Sequence, residues 1–182
     1  VPDVTQMMLK ADARNVSFDS SQISDFLTCW SQASGNSVDF TKLAPGHKFS
    51  ATAACNGNIN RLAVSADLYG QEVGRLIFDG IVYDVLDKVM PISLKGHAVT
   101  EALALDKVIG TDKLGQMDAE ASFGLVVKKP NDIKIDSLAV SRLNAIGYDL
   151  HDILVKGSLL DNTANIQFTS KDPALRTSII AL

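Results

Sequence analysis

The chain has 182 residues, of which 46% are hydrophobic and 21% charged, a balance typical of a folded globular chain and not of a disordered one. The formal net charge is −4 and the basic residues are scattered, so nucleic acid is not an expected partner. No apolar run approaches the roughly 18–20 residues of a membrane-spanning helix, and no signal peptide opens the sequence. We expect one β-rich domain over residues 1–182, with two loose repeats, about 1–95 and 96–182, as the alternative.

Both ends of the sequence look cut from a longer protein. The first residue is Val1, and residues 177–182 still have a strand-like pattern where the sequence stops. We therefore expect an excised fragment that does not itself span a membrane.

Alternation of apolar and polar residues with a period of two dominates the chain and predicts half-buried strands. Leu62 and Val64 begin the first clear run, and four more runs follow it. These later runs cover residues 118–125, 132–136, 152–159 and 164–169. Further strand candidates cover residues 7–13, 48–55, 75–83 and 92–98.

Turn-forming residues separate these runs. Asn56-Gly57-Asn58 and Asp161-Asn162 accept the backbone angles of tight hairpins, and Gly70 and Gly74 bracket a third break. Short strands joined by such turns predict a mainly-β, antiparallel fold.

Two segments have helical spacing instead. Residues 20–32 place Ile23, Phe26, Leu27 and Trp30 on one apolar stripe, with Asp19 or Ser20 as the N-cap. Residues 100–109 predict a second short helix, with Thr100 as its cap, Gly110 as its stop, and Leu105, Val108 and Ile109 as its buried stripe.

The residues that usually carry chemistry form no recognisable motif. His47, His97 and His151 are too widely spaced for a helical or hairpin metal site, and no nucleophile elbow or phosphate-binding glycine loop is present. We predict that the chain is not an enzyme, with no catalytic residue, no metal and no cofactor. A hydrolase with a dispersed site is the weakest rival. For Cys29 and Cys55, two free buried thiols are expected, with a single disulfide as the alternative.

The apolar phase of the strands is the remaining feature. A one-sided sheet must hide this phase against a second sheet, fold over it, or leave a groove that holds an apolar ligand. The candidate lining residues are Leu62, Val64, Phe123, Leu125, Ile133, Ile135, Ile153, Val155, Ile166 and Phe168. The same residues would form the core of an ordinary sandwich or barrel, and the alternation is identical in both cases.

The order of these loose motifs resembles the TamB/AsmA-like envelope proteins. The resemblance begins with ALALDKVIGTDKLGQMDAEASFGL at 102–125. A Gly-Tyr-x-Leu strand then leads into an Asp-Ile-x-Val-x-Gly strand at 147–157, followed by Asp-Pro-x-Leu at 172–175. Upstream, GHKFSATAACNGNINRLAVSADL at 46–68 and GRLIFDGIV at 74–82 fit the same rhythm, so the resemblance covers almost the whole chain.

The resemblance implies an elongated, folded-over antiparallel sheet, groove-like or a flattened barrel, within a parent protein anchored to the inner membrane and extending through the periplasm. It implies phospholipid acyl chains as the ligand, transport between membranes or outer-membrane assembly as the function, and an outer-membrane assembly protein as a further partner. The alternative is a non-catalytic β-sandwich that serves as a binding or adhesion module.

Overall fold

The computed structural model describes residues 7–22, 24, 25, 28, 46–84, 91–126, 132–161 and 163–181. Ten strands form one antiparallel sheet in which the order in space is the order in sequence. They are β1 (Met8–Asp19), β2 (Lys48–Asn58), β3 (Arg61–Gly70), β4 (Gly74–Tyr83), β5 (Ser93–Ala104), β6 (Leu114–Val126), β7 (Asp132–Ala145), β8 (Tyr148–Leu160), β9 (Thr163–Ser170) and β10 (Thr177–Ala181).

The sheet is open, because β1 and β10 are its two edges and do not pair with each other. The prediction of a mainly-β, antiparallel fold is confirmed. The described residues form no second sheet, so the sandwich alternative is not the fold observed here. The boundary near residue 95 that would separate two repeats lies inside β5, which pairs with both β4 and β6.

The first hairpin turn lies two residues later than the sequence predicts. Gly57 is inside β2 and pairs with Leu62, while the turn itself is formed at residues 59–60. The Asn58 side-chain oxygen accepts hydrogen bonds from the backbone N–H groups of Asn60 and Arg61, at 3.0 and 2.9 Å. Gly57 has φ 146°, and a side chain there would overlap the Arg61 carbonyl. Glycine is therefore required for close approach within the strand, not for the turn.

The turns at Gly70–Gly74 and at Asp161 agree with their predictions. Asn162, which completes the predicted break at Asp161, lies outside the described residues.

The second helix is shorter than predicted, covering Leu105–Ile109. Thr100 is not its cap: the cap position is Ala104, which makes no side-chain hydrogen bond to the helix. Thr100 instead belongs to β5, where its hydroxyl oxygen accepts the Ala119 N–H at 3.0 Å. Gly110 ends the helix with φ 73°, as predicted.

The predicted buried stripe of this helix is only partly correct. Val108 packs against the cluster of Phe49 and Val73, and Leu105 is half-buried, but Ile109 is 55% exposed. Five residues make fewer than two turns, which is too short for a full apolar stripe.

The segment after β1 is helical at each described position: Ser20, Ser21, Gln22, Ser24, Asp25 and Thr28. The Gln22 side chain accepts the Asp19 N–H at 2.9 Å, which satisfies one donor at the helix start. Ser20 binds elsewhere, since its hydroxyl accepts the Gly46 N–H at 3.1 Å. The predicted stripe of Ile23, Phe26, Leu27 and Trp30 lies outside the described residues.

Two small clusters supply the buried apolar contacts. Phe49 and Val73 pack with Phe18, Leu103 and Val108 where the first strands meet the helix Leu105–Ile109. Ala119, Val140 and Ile153 form the second cluster across β6, β7 and β8. No side chain of the described residues is fully buried, which is unusual for a chain long enough to enclose a core. None of the described helices has the length and apolar character needed to cross a bilayer.

Candidate functional site

The register places one phase of every strand on the same side of the sheet, because directly paired residues in an antiparallel ladder share a face. One row runs from Val64 through Gly80, Gly96, Phe123, Ile135 and Gly157 to Ile166. A second row runs from Leu62 through Val82, Leu94, Leu125, Ile133 and Leu159 to Ala164. We call this side the apolar face.

All ten predicted lining residues belong to the apolar face. Leu62, Val64, Phe123, Leu125, Ile133, Ile135 and Ile166 lie in the two rows just described. Val155 pairs with Leu138 and Phe168, and Ile153 pairs with Val140, which adds the remaining three. The structure thus brings all ten together on one surface that crosses seven strands, β3 to β9.

Bulges keep the face continuous where simple alternation fails. In β7, Ile135 pairs with Gly157 but the next apolar partner on the strand is Leu138, so one extra residue is inserted between them. Similar irregularities occur between Ala13 and Val16 in β1 and between Thr100 and Leu103 in β5. Without a bulge to absorb the extra residue, all side chains that follow it on the strand would project to the opposite face.

Three residues of the apolar face in β4 and β5 were not among the predicted lining residues: Phe78, Gly80 and Gly96. The Phe78 and Phe123 rings lie with centroids 6.2 Å apart. A Cβ added at Gly96 would come within 2.5 Å of the Phe78 ring and 3.3 Å of the Phe123 ring. The two rings therefore lie over the backbone of glycine residues. Glycine at apolar-phase positions of two neighbouring strands is the sequence feature that could have predicted this packing.

Exposure varies along the apolar face. Ile153 and Val140 are buried in the second cluster, and the rings of Phe18 and Phe49 stack at 5.9 Å where the first cluster covers one end of the strands. Toward the opposite strand ends the face opens, and Ile133, Leu159 and Ile166 are 39%, 38% and 46% exposed. Large aliphatic side chains that face solvent together on one surface mark a binding or association site.

The opposite face of the sheet is polar and carries ion pairs between neighbouring strands. Arg75 of β4 donates hydrogen bonds to Asp67 of β3 at 2.6 and 2.9 Å and to Glu101 of β5 at 3.2 Å. These hydrogen bonds hold the pKa of Asp67 below its ordinary value. Arg142 binds Asp118 in the same way at 2.8 Å. Such partly exposed pairs between neighbouring strands contribute little to stability, about 0–1 kcal/mol each.

A cleft of about 690 Å³ lies on this polar face, beside the Arg75 cluster. Its lining includes Asn15, Tyr69 and Gln116. Of its charged groups, Arg75 is paired with Asp67 and Glu101, and Glu72 lies 3.6 Å from His47. We therefore assign it no apolar ligand.

The histidines do not meet. His47 precedes β2 and lies 3.6 Å from Glu72, whereas His97 is in β5 and His151 in β8. Within the described ranges, no group of three or more His, Cys, Asp or Glu side chains is placed to bind a metal ion. Cys55 is a half-buried free thiol on the apolar face, and Cys29 lies outside the described residues.

The fold and this surface define a mainly-β protein built on one open antiparallel sheet with an apolar and a polar face. Comparison with family models, with curated proteins and with solved structures finds no match to the chain.

Proposed function

We propose that the chain is a non-enzymatic, lipid-handling segment of a TamB/AsmA-like envelope protein, in which the apolar face holds phospholipid acyl chains. In this proposal the parent protein is anchored to the inner membrane, and the segment lies in the periplasm as part of a conduit between membranes or of the outer-membrane assembly route. An outer-membrane assembly protein is the proposed protein partner.

The continuity of the apolar face on an open sheet is the observation that carries this proposal. Seven successive strands contribute large apolar side chains to it, and no second sheet of described residues covers them. A closed domain of this length would hide such residues in a core, yet several of them are more than one-third exposed.

The chemistry of the face suits an acyl chain better than a polar ligand. Each CH₂ group removed from water contributes about 0.8 kcal/mol, so a continuous apolar surface can hold an acyl chain without directional bonds. The Phe78 ring lies over Gly80 and Gly96, beside the Phe123 ring, and none of these four residues has a polar side chain. Because no fixed hydrogen bond has to be broken, a bound chain can move along the face.

Two pairs of substitutions on opposite faces test this proposal. In the first variant, Leu159→Glu and Ile166→Glu place carboxylates on the exposed part of the apolar face. In the matched control, Leu154→Glu and Gln167→Glu place the same charges on the same two strands but on the polar face. All four positions are exposed, so neither variant disturbs a buried cluster.

Lipid uptake from vesicles of phosphatidylethanolamine and phosphatidylglycerol is measured by native mass spectrometry. We expect the apolar-face variant to bind at least about tenfold less lipid, a loss equivalent to about 1.4 kcal/mol, and the control to bind like the parent chain. Circular dichroism checks that both variants keep their strands. Absence of lipid on the parent chain, or equal loss in both variants, would refute the proposal.

A further inference from the structure

The cleft beside Arg75 on the polar face has the size of a small-molecule site. Its volume of about 690 Å³ lies within the usual range of such sites, about 300–1,000 Å³. Two residues at bulges line it: Asn15 of β1, with φ 52°, and Ala102 of β5, with φ 49°. Left-handed backbone at residues other than glycine is costly and concentrates at functional sites, where bulges re-aim side chains.

The polar groups of the cleft are held in place by one another. Direct pairing sets Tyr69 of β3 opposite Arg75 of β4, and Arg75 opposite Glu101 of β5, so these three residues form one row. Three of the five N–H groups of the Arg75 guanidinium donate to Asp67 and Glu101. Two N–H groups, one on each terminal nitrogen, are therefore left for a ligand, and the two carboxylates fix their direction.

Tyr69 adds an exposed aromatic surface beside these groups. It is 50% exposed, although it lies within a strand that is paired on both sides. Its partner on β2 is Ser50, whose side chain is small. An aromatic ring has a large apolar area and a negative face, so a half-exposed ring next to fixed polar groups offers a ligand both kinds of contact.

The charges of the cleft favour a neutral ligand. Among its described lining residues, the carboxylates of Asp67, Glu72 and Glu101 stand against one guanidinium, that of Arg75. This excess of negative charge repels phosphate groups and acidic sugars. A cation is also disfavoured, because Arg75 already neutralises the carboxylates that it binds and would repel a second positive charge. Hydroxyl groups suit the site, since each can both accept from an N–H group and donate to a carboxylate.

We propose that this cleft binds a short, neutral saccharide. The C–H face of one sugar ring packs on the Tyr69 ring, and its hydroxyl groups accept from Arg75 and donate to Glu101. The side-chain amides of Asn15 and Gln116 supply further donors and acceptors. A sugar ring combines an apolar C–H face with hydroxyl groups, which is the combination that the cleft presents. The site lies on the opposite side of the sheet from the apolar face and does not depend on the proposed lipid function.

Titration of the whole chain with maltose, cellobiose and chitobiose, followed by saturation-transfer difference NMR, tests this proposal. We expect at least one of these neutral disaccharides to bind with a Kd of about 1 mM or lower. Tyr69→Ala removes the aromatic surface and should weaken that binding at least about tenfold, whereas Tyr69→Phe keeps the ring and should stay within about threefold of the parent chain. Tyr148→Ala is the matched control, because Tyr148 is 64% exposed and lies outside the cleft, and its binding should be unchanged.

Circular dichroism confirms that each variant is folded. Failure of all three disaccharides to bind the parent chain, or equal losses in the Tyr69→Ala and Tyr148→Ala variants, would overturn the proposal. Binding of spermidine or glucuronate in place of the neutral disaccharides would also overturn it, because the ligand would then be charged. Lipid uptake by the Tyr69→Ala variant should equal that of the parent chain, so the results for the cleft and for the apolar face are read separately.

Discussion

The packing of Phe78 on the apolar face requires that Gly80 has no side chain. An added Cβ would come within 2.6 Å of the Phe78 ring and 2.8 Å of the Lys95 carbonyl oxygen. The carbonyl belongs to the neighbouring strand and cannot move without disturbing the ladder. Gly124 lies inside β6 on the polar face, where the atom nearest to an added Cβ, the Leu94 carbonyl oxygen, is 3.9 Å away.

We predict that Gly80→Ala lowers the free energy of unfolding by about 1–3 kcal/mol, the usual cost of overpacking. Gly124→Ala is the matched control and should be neutral or stabilising by up to about 1 kcal/mol, because it reduces the freedom of the unfolded chain. Urea unfolding followed by circular dichroism measures both. Equal effects of the two substitutions would mean that the Phe78 ring does not occupy the space above Gly80.

At the scale of elements, the connection between β9 and β10 depends on Asp172. Its carboxylate accepts the His151 N–H at 2.7 Å and the Ala174 N–H at 2.6 Å, which ties the connection to β8. Only 3% of Asp172 is exposed. The hydrogen bonds from Ala174 and His151 lower the pKa of Asp172 below its ordinary value of 3.8. The charged form therefore stabilises the fold.

We predict that Asp172→Asn destabilises the chain at neutral pH and frees β10. A lowered pKa in the folded state means that the stabilisation is complete above about pH 4, the unfolded value, and is lost as the pH falls through the folded value. The parent chain should therefore lose stability below about pH 4, and the difference from Asp172→Asn should shrink there.

Hydrogen exchange of the β10 amides gives a second readout, since faster exchange is expected in the Asp172→Asn variant. Lys171→Gln is a suitable control in the same connection, because Lys171 is exposed. A stability difference that is unchanged from about pH 7 to about pH 3 would rule out the carboxylate as its source.

At the scale of the whole molecule, an open sheet leaves apolar surface in contact with water. A ligand that covers this surface binds the folded chain and not the unfolded one, so it raises stability by mass action. The proposed function can therefore be tested through the melting temperature Tm, without a transport assay.

We predict that phospholipid at about one hundred times its Kd raises Tm by roughly 5–10 °C. That range follows from about 2.7 kcal/mol of stabilisation and about 2–4 °C per kcal/mol for a chain of this length. The shift should be nearly independent of salt, because acyl contacts are not screened. Differential scanning calorimetry measures it, and the variant with Leu159→Glu and Ile166→Glu should show little shift. A shift that disappears at high salt would point to headgroup binding instead.

The sequence by itself determined which residues within one regular stretch of strand lie on the same face. Alternation with a period of two is local, so residues such as Leu62 and Val64, or Ile153 and Val155, must project to the same side of any regular strand that contains them. It also identified most strands and the glycine that ends the second helix, because these depend on neighbouring residues alone.

Only the tertiary structure decided how the strands pair and whether the apolar face is covered or open. Thr100 fits a helix cap locally, yet pairing with Ala119 holds it in β5, since a strand partner distant in sequence supplies its hydrogen bonds. The bulge after Ile135 and the placement of Phe78 over Gly80 and Gly96 likewise depend on neighbouring strands. Whether ten strands close or stay open is set by where the edges β1 and β10 come to lie, and no local pattern encodes that distance.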